Sequence, residues 1–528
     1  MKKIVIWGLV CLVLVVFALI GILGDLEDRQ ETGQQRGRGS GQAQNHSQSQ
    51  TYTLQTLLDI AYERRMSIVT HGRGRLVELA EGREAINVNT FSFQRPRNRV
   101  IALNPPIAYW HTRDPVLYIP IENAIGDVTL FFALIRQTYG AYIYFGGDEV
   151  FNPVFDDIIA DISTHEVRIS VTRLQRILFD RLNPVIHDNH FAIGGNVLGA
   201  SATFFTSSTP FDRYQDGFRH RESGLLVTEI EVRYMHVMYD TYDTSITHDI
   251  NQILRLSMNE QGDIFYSPVV YVQDFIFDYT TFSPILNITF EDDSRYELPL
   301  ELHLTPTILL TLPVLRFIDG VPVVSIRTMH GWPDPNDPGI EIFMSFVEEL
   351  RDEPVIVVDV RGNGGGNGLL PLTWLYELTG SFVPHTNAML STRLIAPRAR
   401  TGPFGLSHFD DNHSSRLGRQ ADNLVVNHQL IIMLTDRRVG SAAELFTDSM
   451  LNMGNTLIVG QNTRGMLITG EILSFATHSL PNSGIPFTFG VTLSVFPEGL
   501  FAEGIGLAPD IWVHGDALQA TLSLLRNR

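Results

Sequence analysis

The sequence predicts an α/β protein: a layered core at the C-terminal end, a mostly helical region near the start, and a β-rich stretch between them. Three observations carry this reading. Strand-like and helix-like segments alternate through residues 311–528, the pattern of a layered α/β domain. Within that region Val355–Val360 is a nearly continuous β-branched run, typical of a strand covered on both faces. Upstream, apolar residues recur at helical spacing in 54–66, 121–139, 155–162 and 171–182, whereas 225–234, 267–275, 285–290 and 296–304 read as strands.

Taken in order, the chain opens with Lys2-Lys3 and then Ile4–Leu23, twenty residues without a charge. That length spans a bilayer core as a helix. No Ala-x-Ala site follows, so an uncleaved anchor is preferred to a cleaved signal. The lysines would stay cytoplasmic and the rest would lie outside the cytoplasm. Residues 1–24 are thus an anchor or signal segment, and 25–51, rich in Gln, Gly, Ser and Arg, a flexible linker. The mostly helical cap region runs from 52 to 200, with Ser170 expected to cap the 171–182 helix. The β-rich module follows over 201–310, with Glu291–Ser294 as a hairpin turn. The α/β core occupies 311–528.

Composition excludes several classes. A formal net charge of −19 over 528 residues argues against a general nucleic-acid surface. A single cysteine, Cys11, leaves no internal disulfide and no cysteine-built metal site. Lysine occurs only at Lys2 and Lys3, so the soluble part has no lysine to offer as a base or a phosphate ligand.

The chemistry-bearing stretches lie mainly in the core. Leu430–Leu434 reads as a buried strand, Thr435–Gly440 as a turn, and Ser441 opens a helix over Ala442–Met450. The first N–H groups of a helix lack intrahelical partners and face a positive dipole end. The Ala442 N–H is therefore placed to hold an oxyanion formed beside Ser441. Ser441 with Glu444 also fits a capping box, and the residues alone leave both readings open. The loop Arg361-Gly-Asn-Gly-Gly-Gly-Asn-Gly368 is not a phosphate loop, since it lacks the Gly-Lys-Ser/Thr ending. A tight turn and a set of oxyanion donors remain. His187 and His190 flank Asp188-Asn189, and no third ligand stands near enough to suggest a metal. Glu503-Gly-Ile-Gly-Leu-Ala-Pro-Asp510 precedes a last helix over Asp516–Arg526, with Asp516 as its cap.

Three motifs in order, Val358-Asp-Val-Arg-Gly-Asn-Gly-Gly-Gly366, Val439-Gly-Ser-Ala-Ala-Glu-Leu-Phe446 with Val459-Gly-Gln-Asn-Thr-Arg-Gly465, and Glu503–Asp510, resemble those of the S41 peptidases. This is the family of the tail-specific (carboxyl-terminal processing) proteases and the tricorn core. The resemblance implies a crotonase-like (ClpP/crotonase) layered core, Ser441 as nucleophile, and oxyanion donors from Gly364, Gly365 and Ala442. Tail-specific members look like serine–lysine enzymes, but here the lysine position is Met466. The chain is more similar to the histidine-using, tricorn-like branch. That similarity implies His190 as base and Glu503 as the acid that orients it, with Asn189 standing where the auxiliary serine would be. His330 and His478 are the competing bases. Members often carry a PDZ domain, yet 201–310 shows no carboxylate-binding Gly-Leu-Gly-Phe-type loop.

The expected activity is that of a membrane-anchored, extracytoplasmic serine endopeptidase. It would act on proteins or peptides, be held in the membrane through residues 4–23, and need no cofactor, metal or nucleic acid. The alternatives are a catalytically inactive binding or scaffold protein on the same fold, and an acyl hydrolase.

Overall fold

Continuous apolar strands form the spine of the molecule. The computed structural model describes residues 52–67, 117–236, 244–274, 282–309, 311–329, 338–391, 424–472 and 478–526. The expected anchor and linker lie outside the described residues, as do His330 and the side chain of His478. Among the described residues, no helix is long and apolar enough to cross a membrane.

Among the described residues, the main sheet has twelve strands. Its path runs Glu301–Leu302, Ser201–Thr206, Ile264–Asp274, Leu254–Met258, Ile511–Val513, Thr456–Gly460, Leu430–Thr435, Val355–Asp359, Val321–Ser325, Val314–Ile318. A hairpin, Phe211–Tyr214 with Gly217–His220, joins beside Ile264–Asp274. The strands from Leu254–Met258 to Val321–Ser325 are parallel. Parallel strands must be covered on both sides, and the residues alternate accordingly. Val324, Val358, Met433 and Ile458 face one cluster, with Phe343, Trp374 and Phe446 from the helices Gly339–Leu350, Leu369–Thr379 and Ala442–Met450. Val323, Val357, Ile432 and Leu457 face the other, against Leu57 and Ala61 of helix 54–67 and Ala520 of helix Ala517–Arg526. Each fully buried large apolar side chain contributes about 1.5–3 kcal/mol. As expected, Asp516 caps the last helix, accepting from the Leu518 N–H at 2.8 Å.

The chain does not divide where the sequence suggests. Strands of the expected β-rich module belong to the main sheet: Ser257 sits in register with Trp512 of the core. Among the described residues of that stretch, Arg295–Pro299, Phe282–Phe290, Val227–His236 and Thr244–His248 form a separate four-stranded sheet with its own core. Helix 54–67, assigned to the cap, packs on the core sheet instead. Buried Arg65 ties it there, with Asp510 Oδ2 at 2.6 Å.

The cap proper contains helices Ile121–Thr138, Gly147–Ser163 and Val171–Leu182, the last capped by Ser170 Oγ as expected. Its core is completed by Leu480, Ile485, Phe487, Phe489 and Val491 from far down the chain. The Ala192–Ile193 strand pairs with Pro486–Thr488, placing Phe487 opposite Ile193. This pairing fixes the preceding loop, 187–191, over the carboxyl ends of the parallel strands.

Candidate active site

Neighbouring parallel strands Val355–Asp359 and Leu430–Thr435 each deliver a loop at the carboxyl end, where open α/β sheets bind ligands. The second loop carries Ser441 at φ 51°, ψ −120°. A non-glycine residue there is strained by roughly 1–3 kcal/mol and stays only if its surroundings hold it. Buried Glu444 provides that hold. Its carboxylate accepts from the N–H groups of Ser441 (3.0 Å), Met466 (2.7 Å) and Gly465 (2.7 Å) and from the Thr463 hydroxyl (2.6 Å). The foreseen capping box is present, but its Ser441 side-chain half is too loose to count as a hydrogen bond. The hydroxyl is committed elsewhere. Burial raises the Glu444 pKa above the usual carboxylate range, against the pull of these donors.

The glycine loop presses on this turn. Gly365 has φ +107°, and a Cβ there would stand 2.7 Å from both Gly440 O and Ser441 Cβ and 2.9 Å from Ala442 N. Only glycine permits this approach. The Ala442 and Gly364 N–H groups have no acceptor among the described residues. The Gly365 N–H is occupied: it donates to Asn363 Oδ1 at 2.9 Å. Of the donors suggested by resemblance, Gly365 therefore shapes the loop while Gly364 and Ala442 keep free N–H groups. An Asn two residues before the glycine is an Asx-turn signal, through which this could have been read.

His190 Nε2 lies 3.1 Å from Ser441 Oγ, across 251 positions of sequence. Burial lowers the His190 pKa below the ordinary imidazole range. Asp188 and the Thr469 carbonyl pull it the other way, and Arg464 adds to the lowering. Nδ1 is buried without a hydrogen bond.

The Glu503 carboxylate does not reach the His190 ring, contrary to the expected orienting contact. It accepts instead from the N–H groups of Asn189 (2.8 Å), Ile468 (3.0 Å) and Leu467 (3.2 Å). The backbone explains this. Gly504, at φ +78°, lies so close to Ala200 that a Cβ would stand 2.6 Å from its carbonyl carbon, and Glu503 is thereby aimed at the backbone of the histidine loop. Burial, and after it the Asp188 charge, raise Glu503 well above the usual carboxylate range. Asn189 is also turned from the ring, its Nδ2 donating to Gly465 O (2.7 Å) and Ala200 O (2.8 Å). Met466, in the lysine position of the tail-specific pattern, lies with its sulfur beside Gly440.

A hydroxyl on a strained strand-to-helix turn, a buried imidazole on it and N–H groups without acceptors among the described residues are the parts that serine-type acyl-transfer chemistry requires. Residues 323–513 match the model of peptidase family S41, which supports a serine-type peptidase. Similar solved structures include mature CPAF, at 15% identity over 77% of this chain and 95% of that one, TM-score 0.39. The photosystem II D1 C-terminal processing protease is similar at 12% identity over 77% and 96%, TM-score 0.34. The tricorn protease is similar at 14% identity over 76% of this chain and 35% of that one, TM-score 0.33.

Proposed function

We propose that the protein is an endopeptidase in which Ser441 is the nucleophile and His190 its general base. The observation that carries this reading is the 3.1 Å contact between Ser441 Oγ and His190 Nε2, within the reach required of a base. Burial keeps the imidazole neutral at neutral pH, leaving Nε2 free to accept. As Oγ attacks the scissile carbonyl, its proton passes to Nε2. The tetrahedral oxyanion is held by the N–H groups of Ala442 and Gly364; losing one such donor typically costs ~10²–10³ in rate. His190 then returns the proton to the leaving amine. Water enters by the same route to release the acyl group. Glu503 serves by holding the histidine loop through the Asn189 N–H, and Asn189 ties that loop to Gly465.

The same reading places the enzyme outside the cytoplasm, held by residues 4–23. Its substrates are then extracytoplasmic proteins or peptides. Protease added to intact cells should remove the bulk of the chain, and complete protection would refute this placement.

Fluorophosphonate labelling of the full-length chain tests the chemistry. The wild type is expected to label, and Ser441→Ala and His190→Ala to lose reactivity by on the order of 10⁵–10⁶. Folded wild-type protein that does not label would point to a non-catalytic binding protein on this fold. Labelling lost only in Ser441→Ala would reassign the base.

A further inference from the structure

Two buried carboxylates converge on the histidine loop, and they do different things. Glu503 grips only backbone, one residue before His190 and at 467–468. Asp188 lies two residues before His190. Its Oδ1 accepts the His190 N–H at 2.9 Å, while Oδ2 accepts the hydroxyls of Thr469 at 2.8 Å and Tyr139 at 2.9 Å. Asp188, Tyr139 and Thr469 are all buried. Tyr139 is wedged among Phe145, Phe191 and Phe489, so its hydroxyl is a fixed donor. The Asp188 backbone is fixed too, its N–H on Leu198 O and its carbonyl on the Phe191 N–H, both at 2.9 Å.

We propose that Asp188, not Glu503, is the positioning acid for His190: it holds the histidine backbone directly and supplies the negative charge that supports the imidazolium formed during attack. This deepens the serine–histidine reading above and rests on it. An imidazolium buried here needs a counter-charge, because desolvation disfavours the protonated ring. Around the ring, Asp188 opposes that penalty and Arg464 adds to it, while the Glu503 carboxylate is taken up by the Asn189, Leu467 and Ile468 N–H groups. The Thr469 hydroxyl, donating to Asp188 Oδ2 at 2.8 Å, helps fix the carboxylate in place. Burial and the Asp188 charge also push Glu503 toward its neutral form, so it is the weaker source of charge.

The test measures the fluorophosphonate labelling rate against pH for full-length wild type, Asp188→Asn, Tyr139→Phe and Glu503→Gln, with melting temperatures alongside. Asn keeps an oxygen for the His190 N–H while removing the charge. Asp188→Asn is expected to lower the plateau rate by about tenfold or more and to move the acid limb to lower pH, since the ring loses the group that favours its proton. Glu503→Gln is expected to slow labelling by loosening the loop while leaving the limb in place. Tyr139→Phe should lower the plateau by a smaller factor, as Oδ2 keeps only the Thr469 hydroxyl, and it still tests the idea if Asp188→Asn does not fold. An Asp188→Asn limb at the wild-type position, a shift in Glu503→Gln alone, or a Tyr139→Phe plateau equal to wild type would each overturn the proposal. Absence of labelling in the wild type would instead remove the serine–histidine reading beneath it.

Discussion

The loop that carries Ser441 and the loop that carries His190 are built on the same device from opposite parts of the chain. Each is gripped by a buried carboxylate that accepts backbone N–H groups: Glu444 beneath the serine, Glu503 beneath the histidine. The segment between them is shared. Thr463, Gly465 and Met466 bind Glu444, then Leu467 and Ile468 bind Glu503, and Thr469 binds Asp188. Residues 463–469 therefore act as a spacer that sets Oγ against Nε2. The loops differ in their foundations. Ser441 stands between a strand of the main sheet and the helix that follows it, whereas His190 stands on a loop beside the small separate sheet that includes Pro486–Thr488 and is tied to the core by Glu503 and Asn189. The nucleophile is fixed by local geometry, the base by docking.

The largest expected effect follows from that shared spacer. Glu444→Ala would leave three N–H groups and a hydroxyl unpaired in a buried site, and buried unsatisfied groups cost roughly 1–3 kcal/mol each. With partial relaxation, a loss of about 3–5 kcal/mol in denaturant unfolding is expected, together with loss of fluorophosphonate labelling. Glu503→Ala frees three donors at the docked loop. There a loss of about 2–3 kcal/mol is expected, with slowed rather than abolished labelling. Equal effects from the two variants would mean that the loops are not held to different degrees.

The same contrast explains what could be read from sequence. Alternating apolar runs gave away the parallel strands, because strands covered on both faces are apolar throughout. The Ser441 turn was legible with its Glu444 partner three residues on, since both lie within one helical turn. His190 was not legible from its own neighbourhood: its contact with Ser441 spans 251 positions, and only resemblance singled it out. Glu503 was picked by the same route, but the contact it makes, with the Asn189 backbone 314 positions away, depends on the close passage of Gly504 over Ala200, which no local pattern encodes. The expectation of a separate β-rich module over 201–310 failed for a like reason, since part of it joins the main sheet. Leu254–Met258 reaches its core partner, Ile511–Val513, only through the folded topology.

An intermediate effect is expected where the two core loops touch. Gly365→Ala introduces a Cβ 2.7 Å from Gly440 O and Ser441 Cβ at a residue with φ +107°. The turn must shift, and with it the Ala442 N–H. Overpacking and backbone strain together cost roughly 1–3 kcal/mol, while labelling should slow by about 10²–10³, the scale of a lost oxyanion donor. Asn363→Ala makes a useful partner. It releases the Gly365 N–H without adding bulk, so a much smaller loss would separate crowding from donor placement.

The smallest effect concerns a buried acid that belongs to neither loop. Asp448, on the Ala442–Met450 helix, accepts from the Thr386 N–H and hydroxyl and lies 3.8 Å from His385 Nδ1. Burial raises Asp448 to about 7 and lowers His385 to about 4. Between pH 4 and 6.5 the unfolded chain releases the Asp448 proton that the folded chain keeps, so this term makes stability fall as pH rises. Over the same window the unfolded chain binds a proton at His385 that the folded chain refuses, and that term makes stability rise. The two slopes oppose, each at most about 1.4 kcal/mol per pH unit. Asp448→Asn removes the first and leaves the second. Denaturant midpoints of this variant should therefore climb between pH 4 and 6.5 more steeply than those of the wild type. Parallel curves would show that the helix beneath Ser441 does not bury a proton, and that its rigidity comes from Glu444 and packing alone.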